Sequence, residues 1–174
     1  MGCKGNIRAF KMVADGAGFK REGDHVPIQG LGWQVLTSTF GPDGRLFFTL
    51  WKPRGNRSQL WALQGKKETT EMAEVKALLA KGFSSYRVDQ LLSFLGHADR
   101  RIRLQSQFEL ANRKEAKALR SKVADAKSDL LPRLHALWGL GQLKARDRDL
   151  LKLLCGDEDA EMRAQAVRWA GDLG

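Results

Sequence analysis

Two hydrophobic rhythms divide the chain. Over the first 65 residues the apolar positions come in short runs bounded by turn residues. One run, 6–13, ends at Ala14-Asp15-Gly16-Ala17-Gly18. A second, 33–40, ends at Gly41-Pro42-Asp43-Gly44, and Arg45-Leu46-Phe47-Phe48-Thr49-Leu50-Trp51 follows directly. After a polar loop at 52–58, which contains Pro53 and Gly55, comes a last short run at 59–63. Aromatic and branched residues bounded by Gly, Pro and Asp are a strand-and-turn signature, and about five antiparallel strands are predicted in all. Phe47, Phe48, Trp51 and Trp61 are assigned to the sheet core in preference to a base-stacking platform. So small a sheet leaves edges and an apolar face uncovered, so it needs a neighbour.

Past a polar linker at 64–70 the period changes to that of helices. Residues 72–80 read as one helix stopped by Gly82, and Ser85 is placed to cap the next, with Val88, Leu91, Leu92 and Leu95 on one face up to Gly96. Then a 30-residue echo sets in: Asp99, Asp129 and Asp159 recur in step with Arg103, Arg133 and Arg163, with Ser106, Ala136 and Ala166, and with Leu110, Leu140 and Ala170. Such a period predicts stacked helix pairs. Each Asp stands where an N-cap would satisfy free amides and favour the helix dipole. Each Arg is expected to pair with the Asp of an adjacent repeat. Pro132 falls in the first turn, where a missing amide hydrogen costs little. Residues 130–143 are apolar nearly all round, which predicts burial on both sides, with Gly139 and Gly141 permitting close approach. The last repeat has no polar capping helix after it, so further repeats or a docking partner are expected there. The expected organisation is 1–65 strands, 66–84 linker and connecting helix, and 85–174 repeats.

Composition adds little. Hydrophobic residues make up 43% and charged residues 29%, as in an ordinary globular chain. The net charge of +10 is spread evenly, with 9 Lys/Arg against 4 Asp/Glu up to residue 65 and 21 against 16 beyond it. An even excess favours anionic partners in a general way, whereas a nucleic-acid face needs clustering. Cys3 and Cys155 form no Cys-x-x-Cys pair, which predicts free thiols and no zinc site. No apolar run suffices for a membrane span, and Met1 to Asn6 has neither a signal-peptide core nor a complete acylation pattern, since Asn6 stands where Ser or Thr is required.

Asp99-x-x-Ile102-Arg103, Asp159-x-x-Met162-Arg163 and Leu134-His135-Ala136-Leu137-Trp138-Gly139-Leu140-Gly141 resemble HEAT repeats, an ARM-like fold. Residues 40–46, then 74–79 and 107–111, resemble in order and spacing the bacterial membrane-bound-dehydrogenase-type or haem-binding-domain proteins. That family joins a sugar-dehydrogenase-like β-propeller to HEAT repeats and usually to a cytochrome c domain. The resemblance implies an α+β chain made of the last one and a half propeller blades followed by a HEAT-like solenoid. It also implies a quinoprotein-like, periplasmic or exported setting, with haem c and pyrroloquinoline quinone as cofactors of the full-length family. Departures accompany it: Leu50 precedes Trp51 where the family has Asp, Thr37 replaces another Asp, and the haem motif Cys-x-x-Cys-His is absent. A propeller closes with four or more blades, so the chain reads as a truncated or split member without catalysis of its own.

Candidate chemistry is sparse. His25, His97 and His135 are isolated and expected to be structural, and Asp43 is a turn residue bonding its own backbone. No catalytic, cofactor or metal residue is assigned. The residues singled out are the structural ladder Asp99, Arg103, Asp129, Arg133, Asp159 and Arg163. The expected function is a protein-interaction module of an exported redox protein. The alternative is a nucleic-acid-binding repeat protein, favoured if Lys117, Arg120, Lys122, Lys127, Lys144, Arg146 and Arg148 share one face.

Overall fold

The computed structural model describes residues 5–15, 18–52, 57–65 and 67–172. Cys3, and the middle parts of the turns expected at 14–18 and 52–58, lie outside the described residues. The chain forms two compact units, Met1–Ala73 and Glu74–Gly174.

The first unit holds two open antiparallel sheets. β1 (Ile7–Asp15) pairs with β2 (Gly18–Ile28), and β3 (Gln34–Phe40), β4 (Leu46–Lys52) and β5 (Arg57–Leu63) lie in the order β3-β4-β5. β2 carries Lys20, Arg21, Glu22, Asp24 and His25, so no hydrophobic alternation marks it in the sequence. The turn between β3 and β4 is built as its residues dictate. Gly41 N–H donates to the Arg45 carbonyl at 2.8 Å, and Gly44 takes φ 72°, a left-handed conformation open to glycine at little cost. A side chain at Gly41 would come within 2.6 Å of the Phe47 ring. Asp43 accepts from Arg45 N–H at 3.2 Å and from Arg45 Nε at 2.5 Å, and the Arg45 hydrogen bond holds its carboxyl below the usual range.

β4 is the apolar centre of its sheet, with Phe48 and Leu50 buried. Its neighbours are not. Trp51 is 37% and Trp61 49% exposed, so the expectation that both belong to a sheet core is corrected. Phe48 stands opposite Trp61 in the register and stacks on it at 6.4 Å between ring centroids.

α1 (Thr70–Lys81) spans the division between the units. The second unit continues with α2 (Val88–Phe94), α3 (Arg100–Asn112), α4 (Ala116–Ala124), α5 (Leu130–Gln142), α6 (Arg148–Cys155) and α7 (Ala160–Asp172). Arg87, not Ser85, holds the N-cap position of α2, and its N–H donates to the Gln90 side chain at 3.0 Å. α2, α4 and α6 touch in one layer and α3, α5 and α7 in a second, with each short helix packed on the long one that follows. The three long helices are each 13 residues and begin 30 residues apart. Ser106, Ala136 and Ala166 occupy equivalent places in them and all are fully buried, because only small side chains let adjacent helices approach there. Gly139 serves the same end: a Cβ would meet the two Leu119 methyls of α4 at 3.1 and 3.2 Å. Leu91, Ile102, Leu110, Leu119 and Leu150 complete a continuous core, each contributing about 1.5–3 kcal/mol on burial.

The fold is thus mixed α+β, with two small open sheets and seven helices among the described residues. Blades of a propeller are four-stranded sheets arranged around a channel. Here a two-stranded and a three-stranded sheet stay separate and neither curls toward closure, so the reading of residues 1–65 as one and a half propeller blades is corrected.

Candidate functional site

The ladder residues take individual roles. Asp99 caps α3 by accepting from Arg101 N–H at 2.8 Å, and Asp159 caps α7 by accepting from Glu161 and Met162 N–H at 2.8 and 3.1 Å. Asp129 occupies the N-cap position of α5 with no side-chain cap bond. The cause lies three residues on: Pro132 removes one of the two amides such a cap addresses. The arginines bind carbonyls more than the expected aspartates. Arg103 donates to the His97 and Ala98 carbonyls at 2.6 and 2.8 Å, and Arg163 repeats this on Asp157 and Glu158 at 2.7 and 2.9 Å. Arg133 is 5% exposed, donates to the Val123 carbonyl at 3.0 Å, and forms an ion pair with Asp157 rather than with Asp159.

His135 links two of the long helices. Arg103 Nε–H donates to His135 Nε2 at 3.1 Å, which leaves the proton on Nδ1, 2.8 Å from the Gln107 side-chain oxygen. Burial, with Arg103 nearby, pushes the imidazole down to about 4. The ring also meets Trp138 edge-on at 4.9 Å, and Trp138 donates through Nε1 to Gln165 of α7 at 3.1 Å. His97 accepts the Asp99 amide at 2.9 Å through Nδ1, and His25 lies in β2 opposite Ala9.

Beside this network, α5 and α7 enclose a groove of about 410 Å³. Leu137, Trp138 and Trp169 supply its apolar lining, and Lys144, Arg168, Gln165 and Asp172 its polar groups. Among the described residues neither Lys144 nor Arg168 forms a salt bridge, and the buried Trp169 N–H has no hydrogen-bond partner. Lys144 is also held with φ 51°, which costs a side-chain-bearing residue about 1 kcal/mol or more. The motif ending α5 imposes it: Lys144 N–H donates to Gly141 and Ala145 N–H to Leu140, leaving Lys144 in the left-handed place usually held by glycine. Lys114 does the same after α3, with φ 59°. In the 30-residue register Phe108, Trp138 and Arg168 are equivalent, so two exposed aromatic rings lead along adjacent helices to an exposed cation.

Sequence reading missed Asp157, the His135 network and this groove. Its only available signal was the 30-residue spacing of Phe108, Trp138 and Arg168, and of Lys114 and Lys144. The seven basic residues named above do not share one site. Lys117 and Arg120 line a recess with Asp125, Arg120 is paired with Asp147 at 2.5 Å, and Lys144 lines the separate α5–α7 groove. Cys155 is a free, exposed thiol. Among the described residues no group of three or more His, Cys, Asp or Glu could hold a metal ion, and no helix is long and apolar enough to cross a membrane.

Set against known proteins, the chain matches no family model, no curated protein and no solved structure. With the open sheets, this overturns the resemblance to membrane-bound-dehydrogenase-type, haem-binding proteins. The labels that came with it, HEAT repeat, ARM-like fold, β-propeller and quinoprotein, are withdrawn as well. The short motifs behind it are explained by local physics: a Gly-Pro-Asp-Gly turn closed by Asp43, and helix caps at Asp99 and Asp159.

Proposed function

We propose that the protein is an interaction module whose α5–α7 groove takes an acidic peptide segment of a protein partner, anchored by a large apolar side chain. The observation that carries this reading is the pairing of two cations free of salt bridges, Lys144 and Arg168, with the indole walls of Trp138 and Trp169. A buried apolar anchor beside a charged rim is how a small interface gathers affinity, the anchor supplying most of the energy and the charges the orientation and on-rate. The net charge of +10 favours acidic partners at long range. The nucleic-acid reading draws less support, because acidic residues interrupt the basic ones and Arg120 is already paired.

The test is fluorescence anisotropy with a short labelled peptide rich in glutamate around a central phenylalanine and leucine. Binding should weaken about tenfold or more in Lys144→Glu with Arg168→Glu, equivalent to about 1.4 kcal/mol or more. Equal binding by wild type and the double variant, or no binding by wild type, would overturn the reading. So would tighter binding of a labelled DNA duplex at physiological salt.

A further inference from the structure

β5 is an edge strand unlike the others. It hydrogen-bonds β4 in an unbroken register from Lys52↔Arg57 to Leu46↔Leu63, whereas β1 and β3 both carry register shifts. All seven of its residues are exposed, Leu60 at 70%. From Ser58 to Leu63 it holds no charge and no proline. Edge strands are ordinarily guarded by Lys, Pro, bulges or a covering element, and a straight apolar edge without these is a template for another strand.

We propose that β5 pairs antiparallel with β5 of a second copy of this chain, about a two-fold axis through Leu60. In that register Leu60 faces Leu60, Gln59 faces Trp61, Ser58 faces Ala62, and Arg57 faces Leu63. Charge along the strand permits this occupant and disfavours an acidic one. The chain is basic overall, so two copies repel, but along β5 the one cation, Arg57, is opposed by leucine at the far end of the partner strand. The two Arg57 side chains then stand about 20 Å apart, beyond the screening length at physiological salt. An acidic partner finds no cation between Ser58 and Leu63, whereas an identical strand finds a self-complementary one. The Gln59 and Trp61 side chains, which hydrogen-bond at 3.0 Å within one strand, each meet the other residue type across the axis. The product is a six-stranded sheet, β3-β4-β5 continued by its copy, within the usual size range and closed by symmetry. β3, the other edge of this sheet, is irregular between Val35 and Thr37 and less suited to the same pairing. A seven-residue edge is only about 24 Å long, at the low end of specific interfaces, so a weak, concentration-dependent dimer is expected.

Sedimentation velocity on the full chain tests this. Wild type should shift from monomer to dimer with concentration. Leu60→Lys and Leu60→Glu, at an exposed position that leaves folding intact, should each stay monomeric, because like charges then face each other on the axis. An equimolar mixture of the two should recover the dimer, since lysine meets glutamate there. A wild type monomeric up to about 300 µM, persistent dimers in either variant, or a mixture that stays monomeric would overturn the proposal.

Discussion

Arg133 of α5 and Asp157, in the turn before α7, form an ion pair with side chains only 6% and 10% exposed. The guanidinium also reaches back to the Val123 carbonyl at the end of α4, so one side chain of α5 ties α4 to the turn between α6 and α7. Removing the acid strands a buried cation, which costs far more than the pair itself contributes. Asp157→Ala should therefore destabilise by about 3–5 kcal/mol, and Arg133→Met with Asp157→Leu by clearly less. Urea unfolding followed by circular dichroism decides it; equal losses in the single and double variants would remove the argument.

The caps separate what the periodic sequence shows as equal. Asp159→Ala and Asp99→Ala each lose a formed cap and should cost about 0.5–2 kcal/mol. Asp129→Ala loses none, and should stay within about 0.5 kcal/mol of Lys117→Ala, an exposed control. Urea midpoints at matched slopes give the order. An Asp129→Ala midpoint as low as that of Asp159→Ala would contradict the role assigned to Pro132.

His135 makes stability depend on pH. Its folded value of about 4 lies below the unfolded 6.5, so between these the unfolded chain holds more protons. The stability is therefore full above about pH 6.5 and falls as pH drops toward 4, by about 3 kcal/mol at most. Asp99 and Asp157, whose values are lowered chiefly by hydrogen bonds from Arg101 and Arg133, are stabilising above the ordinary carboxylate range and lose this only in stronger acid. Unfolding free energies of wild type and His135→Gln between pH 7 and 4.5 should diverge in slope, wild type being the steeper. Parallel profiles would show that the imidazole is not protonated on unfolding.

Left-handed lysines give a last prediction. Lys114→Gly and Lys144→Gly should each raise stability by about 0.5–1 kcal/mol, or about 1–4 °C in Tm. Only Lys144→Gly should also weaken acidic-peptide binding. A fall in Tm for both would mean that glycine's extra unfolded-state entropy outweighs the relieved strain.

Much of the fold is legible in the sequence because it is local. The turn at Gly41-Pro42-Asp43-Gly44, the helix starts after Asp99 and Asp159, and the small residues at 106, 136 and 166 are set by backbone sterics and by a repeating period. β2 escaped because its exposed, charged residues leave no alternation, its pairing with β1 being decided by backbone hydrogen bonds that carry no side-chain signature. The family assignment failed for a related reason: turns and caps recur wherever their local physics does, and say nothing about how sheets assemble.

Tertiary structure alone decided the long-range partners of Arg133, Arg120 and His135. Asp157 and Asp159 lie two positions apart, yet the aspartate that pairs with Arg133 is Asp157, 24 residues away, while Asp159 caps α7. Likewise the α5–α7 groove exists because Trp138 and Trp169, 31 positions apart in the chain, are brought together by helix packing. Periodicity specifies spacing along one helix, where geometry is fixed by the backbone. Contacts between helices depend on how far each bulky or small side chain lets its neighbours approach, and that distance emerges only when the whole core is packed.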